Sequence, residues 1–150
     1  MNTCYGTIIT DAAVGEGTRI WHYCNLYKCR LGRNCKIGSY VEIGEDVSIG
    51  DNCKIEAYTF IPKGVTVGDR VFIGPHVVFT NDKWPKATGE WSESATVVCD
   101  DASIGANSTI LSGIRIGKGA MVGAGSIITR DVADGALVYG DGAEQRGTVH

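Results

Sequence analysis

An aliphatic residue recurs at every sixth position along almost the whole chain. From Leu31 the series runs Ile37, Ile43, Ile49, Ile55, Ile61, Val67, Ile73 and Phe79. It resumes at Val98 and continues Ile104, Ile110, Ile116, Val122 and Ile128. Four residues after each stands a second small or β-branched residue, Cys35, Val41, Cys53, Thr59, Val77, Ala102, Ser108, Ala120, Ser126 and Val132 among them. A period of six with two inward positions fits neither a helix nor a simple alternating strand. It is the mark of a short-repeat β-solenoid, in which each hexad makes one flat side and a turn. Three hexads close one triangular coil. Coils stack at about 4.8 Å, so the hexads predict roughly six coils in a prism about 30 Å tall.

The 150 residues suit one domain, predicted to span 1–150. A solenoid core is narrow, but its stability accumulates coil by coil. Many of the 21 glycines follow the aliphatic position directly, as at Gly38, Gly74, Gly105 and Gly123. There a glycine lets the backbone turn where a side chain would clash. The repeat starts raggedly at Ile8, Val14, Ile20 and Leu26, and the five-residue step to Leu31 predicts a shortened corner near Cys29. One stretch, Thr80 to Thr96, breaks the pattern and predicts a protruding loop over about 80–96. A loop this long is usually functional or disordered. Its two tryptophans, Trp84 and Trp91, favour packing against a neighbouring subunit. The non-repeat tail, about 134–150, is expected to cap the last coil, whose strand edges are otherwise unpaired.

Charge and cysteine usage exclude several classes. A formal net charge of -3 does not provide the basic stripe of a nucleic-acid coat. No apolar run approaches the roughly 20 residues of a membrane span. The N-terminus lacks the basic start and long apolar stretch of a signal peptide, so a cytoplasmic location is expected. Cys24, Cys35 and Cys53 take small inward positions, while Cys4, Cys29 and Cys99 form no C-x-x-C pair. Reduced core thiols are the expectation for a cytosolic chain. A flat prism side offers little concavity for a small molecule. A homotrimer with three inter-subunit clefts is the closed assembly that suits a three-sided prism.

Three stretches narrow the reading. They are Arg19-Ile20-Trp21-His22, then Ile73 to Asp82 followed by Lys83-Trp84-Pro85, and finally Val122 to Val132. The first resembles the R-I-W-H stretch of bacterial sugar N-acetyltransferases, and the second their G-P-x-x-x-F-T-N-D-x-x-P segment. The third is similar to the V-G-A-G-S-x-V-T-K/R-D-V motif of hexapeptide-repeat acyltransferases at large. The chain thus resembles the hexapeptide-repeat acyltransferases, whose fold is a left-handed parallel β-helix. Within them it resembles the enzymes that acetylate nucleotide-linked amino sugars. The resemblance implies acetyl-CoA as cosubstrate, a nucleotide-linked amino sugar as acceptor, and no metal. It also implies that pantetheine runs between subunits past Ala106 and Ala124, with Thr129 and Arg130 at the nucleotide end of CoA. Small side chains let the thin pantetheine arm approach, and an arginine can fork onto a phosphate. A small residue in a tight turn and a solvated surface arginine are the bland alternatives.

Amide formation needs a positioned neutral amine, stabilisation of the oxyanion and a destination for the amine proton. His76 is a candidate base, since an imidazole titrates near neutral pH, and its corner position should face outward. Asn81 can orient the amine but cannot accept its proton. The leaving CoA thiolate can take the proton instead, with His76 as base or substrate contact. Asp82 and Trp84 are candidate substrate contacts, with a turn-forming role the alternative for Asp82. His22 reads as structural beside Trp21. His150 is terminal, where chains are commonly poorly ordered.

Three departures from the family pattern accompany these matches. Trp84 stands where O-acetylating relatives carry the histidine of T-x-H-P, which favours N- over O-acetylation. Ile55 to Thr59 replaces an amide-rich I-Q-N-x-V coil, and Gly140 to Glu144 replaces a G-N-P-A-K/R tail. Two other classes remain open. A zinc enzyme resembling γ-class carbonic anhydrases needs three histidines, two of them in an H-x4-H pair. Here Asn81 stands five residues after His76. The third class is a non-catalytic scaffold that shares the fold.

Overall fold

Each hexad places one aliphatic residue inward and a second small or β-branched residue inward four positions later, so it supplies a short strand and then turns. The computed structural model describes residues 4–149, which contain short strands and turns but no helix. The strands form three sheets of seven, six and eight, the faces of a prism. The first face stacks Ile8–Thr10, Asn25–Tyr27, Glu42–Ile43, Phe60–Ile61, Val78–Phe79, Thr109–Ile110 and Ile127–Ile128. The second stacks Ala13–Val14, Arg30–Leu31, Ser48–Ile49, Val65–Val67, Thr96–Val98 and Arg115–Ile116. The third runs from Arg19–Ile20 to Ala136–Tyr139, with Glu144–Thr148 added at its end. All pairings are parallel until that last strand, which runs antiparallel to Ala136–Tyr139.

Like stacks on like. On the third face Ile37 pairs with Ile55, Ile55 with Ile73, Ile73 with Ile104 and Ile104 with Val122. All five are buried, each worth about 1.5–3 kcal/mol of transfer free energy. The second inward column points its polar members at corner carbonyls of the next coil. Thr18 Oγ1 donates to Gly32 O at 2.7 Å, and Thr59 Oγ1 to Gly74 O at 3.0 Å. Cys35 and Cys53 Sγ donate weakly in the same way to Gly50 O and Gly68 O. Cys29 also lies inward and buried, so the shortened corner still keeps an inward thiol. Burial pushes the Cys24 thiol up and that of Cys29 up to about 11. Such thiols are protonated and poorly reactive at neutral pH.

The solenoid has seven coils rather than six. Ile9, Val14 and Ile20 close a complete first coil: Ile9 rather than Ile8 pairs with Leu26 and takes the inward position, Ile8 lies exposed, and the tail completes the last coil. Val132 does not take the second inward position of the Ile128 hexad, as its spacing suggests. It bridges Ile116 and so occupies the aliphatic position on the second face. Val138 then pairs with Val122, restoring the register on the third face inside what reads as non-repeat tail. The following hairpin strand covers that edge. Thr96 is likewise no loop residue. It is buried in a strand opposite Val65, two residues before Val98.

The glycine after each aliphatic residue serves stacking rather than left-handed turning. A Cβ on Gly38, Gly74 or Gly105 would lie 2.6, 2.7 or 2.5 Å from a backbone nitrogen of the next coil. The left-handed conformation falls two residues later and is carried by bulky residues, including Tyr23, Tyr40, Tyr58 and His76. A positive φ is uncommon for such side chains. Here stacking offsets it. Tyr23, Tyr40 and Tyr58 form a column with ring centroids 5.1 and 4.8 Å apart. Each stacked pair contributes about 0.5–1.5 kcal/mol beyond its buried area. Tyr40→Ala removes two pairs, so a loss of about 1–3 kcal/mol is expected in urea denaturation. Tyr40→Asn, which tolerates the left-handed turn, should lose less.

Candidate functional site

The candidate residues fall on two edges of the prism. One edge is the turn from the third face into the first. Down it, from coil to coil, run His22, Ser39, Ala57, Pro75, Ala106 and Ala124 in one column. Tyr23, Tyr40, Tyr58, His76, Asn107 and Gly125 form the next, as the strand registers require. His76 is exposed on this edge, as its corner position predicts. Its ring lies flat against Tyr58, with centroids 4.7 Å apart and an interplanar angle of 8°. That contact fixes the imidazole plane at the foot of the tyrosine column.

Ala106 and Ala124 follow directly below His76. Asn107 N–H donates to Pro75 O and Gly125 N–H to Ala106 O, locking the turns together. The N–H groups of Ala106 and Ala124 themselves find no acceptor among the described residues. Pro75 holds the same position one coil higher and has no N–H. The N–H groups of Ser39 and Ala57 above it equally find no acceptor among the described residues, so Pro75 interrupts a run of available donors that resumes in the coils below His76. It suits a thin chain bearing amide carbonyls.

The second edge is the turn from the first face into the second. Here Lys63, Asn81, Ser112 and Arg130 occupy equivalent positions on successive coils, two residues past Ile61, Phe79, Ile110 and Ile128. Asn81 Nδ2 donates to Lys63 O at 3.2 Å. That bond identifies the amide nitrogen and leaves Oδ1 as an acceptor. One coil below, the hydroxyl of Ser112 is buried without a hydrogen-bond partner among the described residues. The sequence reading missed Ser112, although its offset from Ile110 matches that of Asn81 from Phe79. Asp82 Oδ1 accepts from the Trp84 N–H at 3.0 Å, so the aspartate builds the turn that starts the loop. Asp82 bridges Glu93 across the loop base, and Glu93 approaches Lys63 Nζ at 3.9 Å. Trp84 is 75% exposed and Trp91 about half so, which leaves much of both rings uncovered by their own chain. Thr129 and Arg130 are exposed lower on this edge, and Arg130 lies 3.9 Å from Glu144.

The two edges flank the first face, so one chain does not bring the candidates together. From His76 to Asn81 the strand direction spans roughly 15 Å, at about 3.3 Å per residue. Ala124 and Thr129 are separated in the same way. His22 lies three coils above His76, and its Nδ1 accepts the Tyr5 N–H at 2.8 Å, a local structural contact. His150 lies outside the described residues. Among those residues no three metal-ligating side chains converge.

The family model described as "Bacterial transferase hexapeptide (six repeats)" matches residues 28–63, 46–81 and 95–130. Bifunctional protein GlmU of Ralstonia pickettii (strain 12J) is 33% identical over 147 residues, covering 87% of this chain and 31% of that protein. The dTDP-3-amino-3,6-dideoxy-alpha-D-galactopyranose 3-N-acetyltransferase of Aneurinibacillus thermoaerophilus is 57% identical over 54 residues, 36% of this chain and 28% of that protein. The chain thus spans less than a third of the length of these curated relatives. Among solved structures, a mutant of AntD, an N-acyltransferase from Bacillus cereus, superposes with a TM-score of 0.83 at 21% identity. The match covers 92% of this chain and 84% of that one, which is in complex with dTDP-4-amino-4,6-dideoxyglucose and coenzyme A.

Proposed function

Because the chain belongs to the bacterial transferase hexapeptide family, we propose that it transfers an acetyl group from acetyl-CoA to the amino group of a nucleotide-linked amino sugar. The observation that carries this reading is the pair of N–H donors on small residues, Ala106 and Ala124, that find no acceptor among the described residues in the coils below the oriented ring of His76. A pantetheine arm laid along that run brings its thioester towards coil four. The named acceptor of the Aneurinibacillus relative and the ligands of the AntD complex support the choice of substrate class.

The complete site belongs to a homotrimer. His76, Ala106 and Ala124 of one copy face Asn81, Thr129 and Arg130 of the next across a shared cleft. Exposed apolar side chains on the first face between the two edges, Phe60, Val78 and Ile127, suit such a contact. Trp84 and Trp91 extend the loop towards the same neighbour.

In the reaction the amine nitrogen attacks the thioester carbonyl carbon. The C–N bond forms, the C–S bond breaks, and the nitrogen loses a proton. Asn81 Oδ1 accepts one amine N–H and aims the lone pair. The CoA thiolate takes the proton, with His76 in contact with the acceptor. Incubation with acetyl-CoA and a panel of nucleotide-linked amino sugars should release free thiol and a product heavier by one acetyl group. Native mass spectrometry should give a trimer. A monomer at micromolar concentration, or no thiol release with any amine, overturns the reading.

A further inference from the structure

Charge is distributed unevenly over the solenoid. Several surface cations are paired with carboxylates of the next coil: Lys28 with Glu45, Arg33 with Asp51, Arg70 with Asp101 and Arg115 with Asp134. The Arg70 guanidinium holds the Asp101 carboxyl below its ordinary range. On the upper third face the pattern reverses. Arg19 pairs in register with Lys36, and Lys36 with Lys54. All three side chains are exposed. Like charges placed directly opposite destabilise a sheet. Among the described residues no carboxylate reaches Arg19 or Lys36, and only Glu56 meets Lys54, at 3.2 Å. Beside this column lies a groove of about 310 Å³ lined by Trp21, Lys36, Ser39, Lys54, Glu56 and Ala57. Trp21 is 46% exposed at its upper end, which leaves an aromatic surface open to a planar ring.

We propose that this groove holds the nucleoside diphosphate half of the acceptor, a subsite that takes its anion's identity from the transferase reading above. The diphosphate lies against Lys36 and Lys54, with Arg19 beyond, and the base stacks at Trp21. Glu56 stays paired with Lys54 and is available to accept from ribose hydroxyls. The spacing fits the chemistry. Lys54, Lys36 and Arg19 stand one, two and three coils above Phe72, four residues before His76, so heights of about 5, 10 and 14 Å combine with an offset along the chain of at most about 13 Å. A diphosphate at Lys54 and Lys36 therefore lies across the corner from a sugar amine at His76. Coenzyme A, which also carries a diphosphate, runs down the opposite way along Ala106 and Ala124. The acceptor and the donor thus approach His76 from opposite ends of one edge.

The test uses the full chain and four probes: dTDP, GDP, inorganic pyrophosphate and coenzyme A, each titrated calorimetrically into the parent and into Lys36→Gln, Lys36→Glu and Trp21→Ala. Lys36→Glu should weaken dTDP or GDP by at least tenfold and Lys36→Gln by less, with CoA affinity unchanged. Trp21→Ala should weaken the nucleotides but not pyrophosphate. Thermal unfolding gives an independent sign, since relief of like-charge repulsion should leave Lys36→Gln at least as stable as the parent. Equal nucleotide affinity in the parent and Lys36→Glu overturns the subsite while leaving the transferase reading intact if CoA still binds. A Lys36→Gln variant that binds dTDP normally but dissociates into monomers overturns it too, by showing that the cations face carboxylates of a second copy.

Discussion

Ala124→Leu is expected to abolish coenzyme A binding while leaving the solenoid folded. Ala124 is exposed and its backbone is not left-handed, so a larger side chain can extend towards solvent without strain in the turn. There it would fill the track outside the turn, over the unpartnered N–H that the pantetheine amides would use. Loss of both the space and the hydrogen bond should cost several kcal/mol, a weakening of about 100-fold or more. Gly105→Ala is the matched control, one coil above. A Cβ there would lie 2.5 Å from Ala124 N, backbone that cannot step aside. This second variant should lose stability, read as a lower denaturation midpoint, because it forces two coils apart. The pair separates binding from folding at neighbouring positions. An Ala124→Leu protein that remains trimeric and binds CoA as the parent does removes the pantetheine track from this edge.

Which parts of the molecule were legible follows from how local their causes are. The three-faced solenoid was legible because one aliphatic residue per hexad is a local requirement repeated along the chain, and Ile37, Ile55 and Ile73 state it unambiguously. The seventh coil was not, because Val132 arrives two residues early and only its bridge to Ile116 shows which position it fills. The outward aspect of His76 could be read from its place in the hexad. Its stacking on Tyr58 needed the inter-coil register, which aligns residues 18 apart in these coils but 31 apart once the loop intervenes. The basic column escaped notice for the same reason. Arg19, Lys36 and Lys54 are scattered in a chain of net charge -3, and become neighbours only when coils stack. Ser112 shows the converse. Its offset was readable, but an orphaned hydroxyl is a property of packing. The division of the candidates between two edges is likewise geometric, since five residues of sequence separation conceal that His76 and Asn81 face different directions.

That division shapes the last expectation, a comparison of Asn81→Ala with His76→Ala. Asn81 Nδ2 is held by Lys63 O, so its Oδ1 has a fixed aim, whereas His76 is fixed by a ring contact that orients the plane but engages neither nitrogen. Removing a preorganised polar partner of the reacting group typically costs about 10²–10³ in rate. Removing a true general base costs about 10²–10⁴. With the CoA thiolate as proton acceptor, Asn81→Ala should lower kcat/KM at least as far as His76→Ala, and His76→Ala should lose less than about 100-fold. Alanine and asparagine at position 76 both remove the stack on Tyr58, and alanine is also strained at φ 58°, so His76→Asn, which tolerates the left-handed turn, serves as the second variant. The pH dependence supplies a readout that a structural role would not move. The substrate amine's own ionisation gives an acidic limb of the kcat/KM profile in either case. If His76 is the base, it adds a second ionisation to that limb, which both variants lose; if the sulfur takes the proton, the limb has the same shape in the parent and both variants. A His76→Asn enzyme that trimerises, binds CoA and dTDP, yet falls by the full general-base factor and loses that second ionisation would make His76 the base and leave Asn81 a positioning residue beside it.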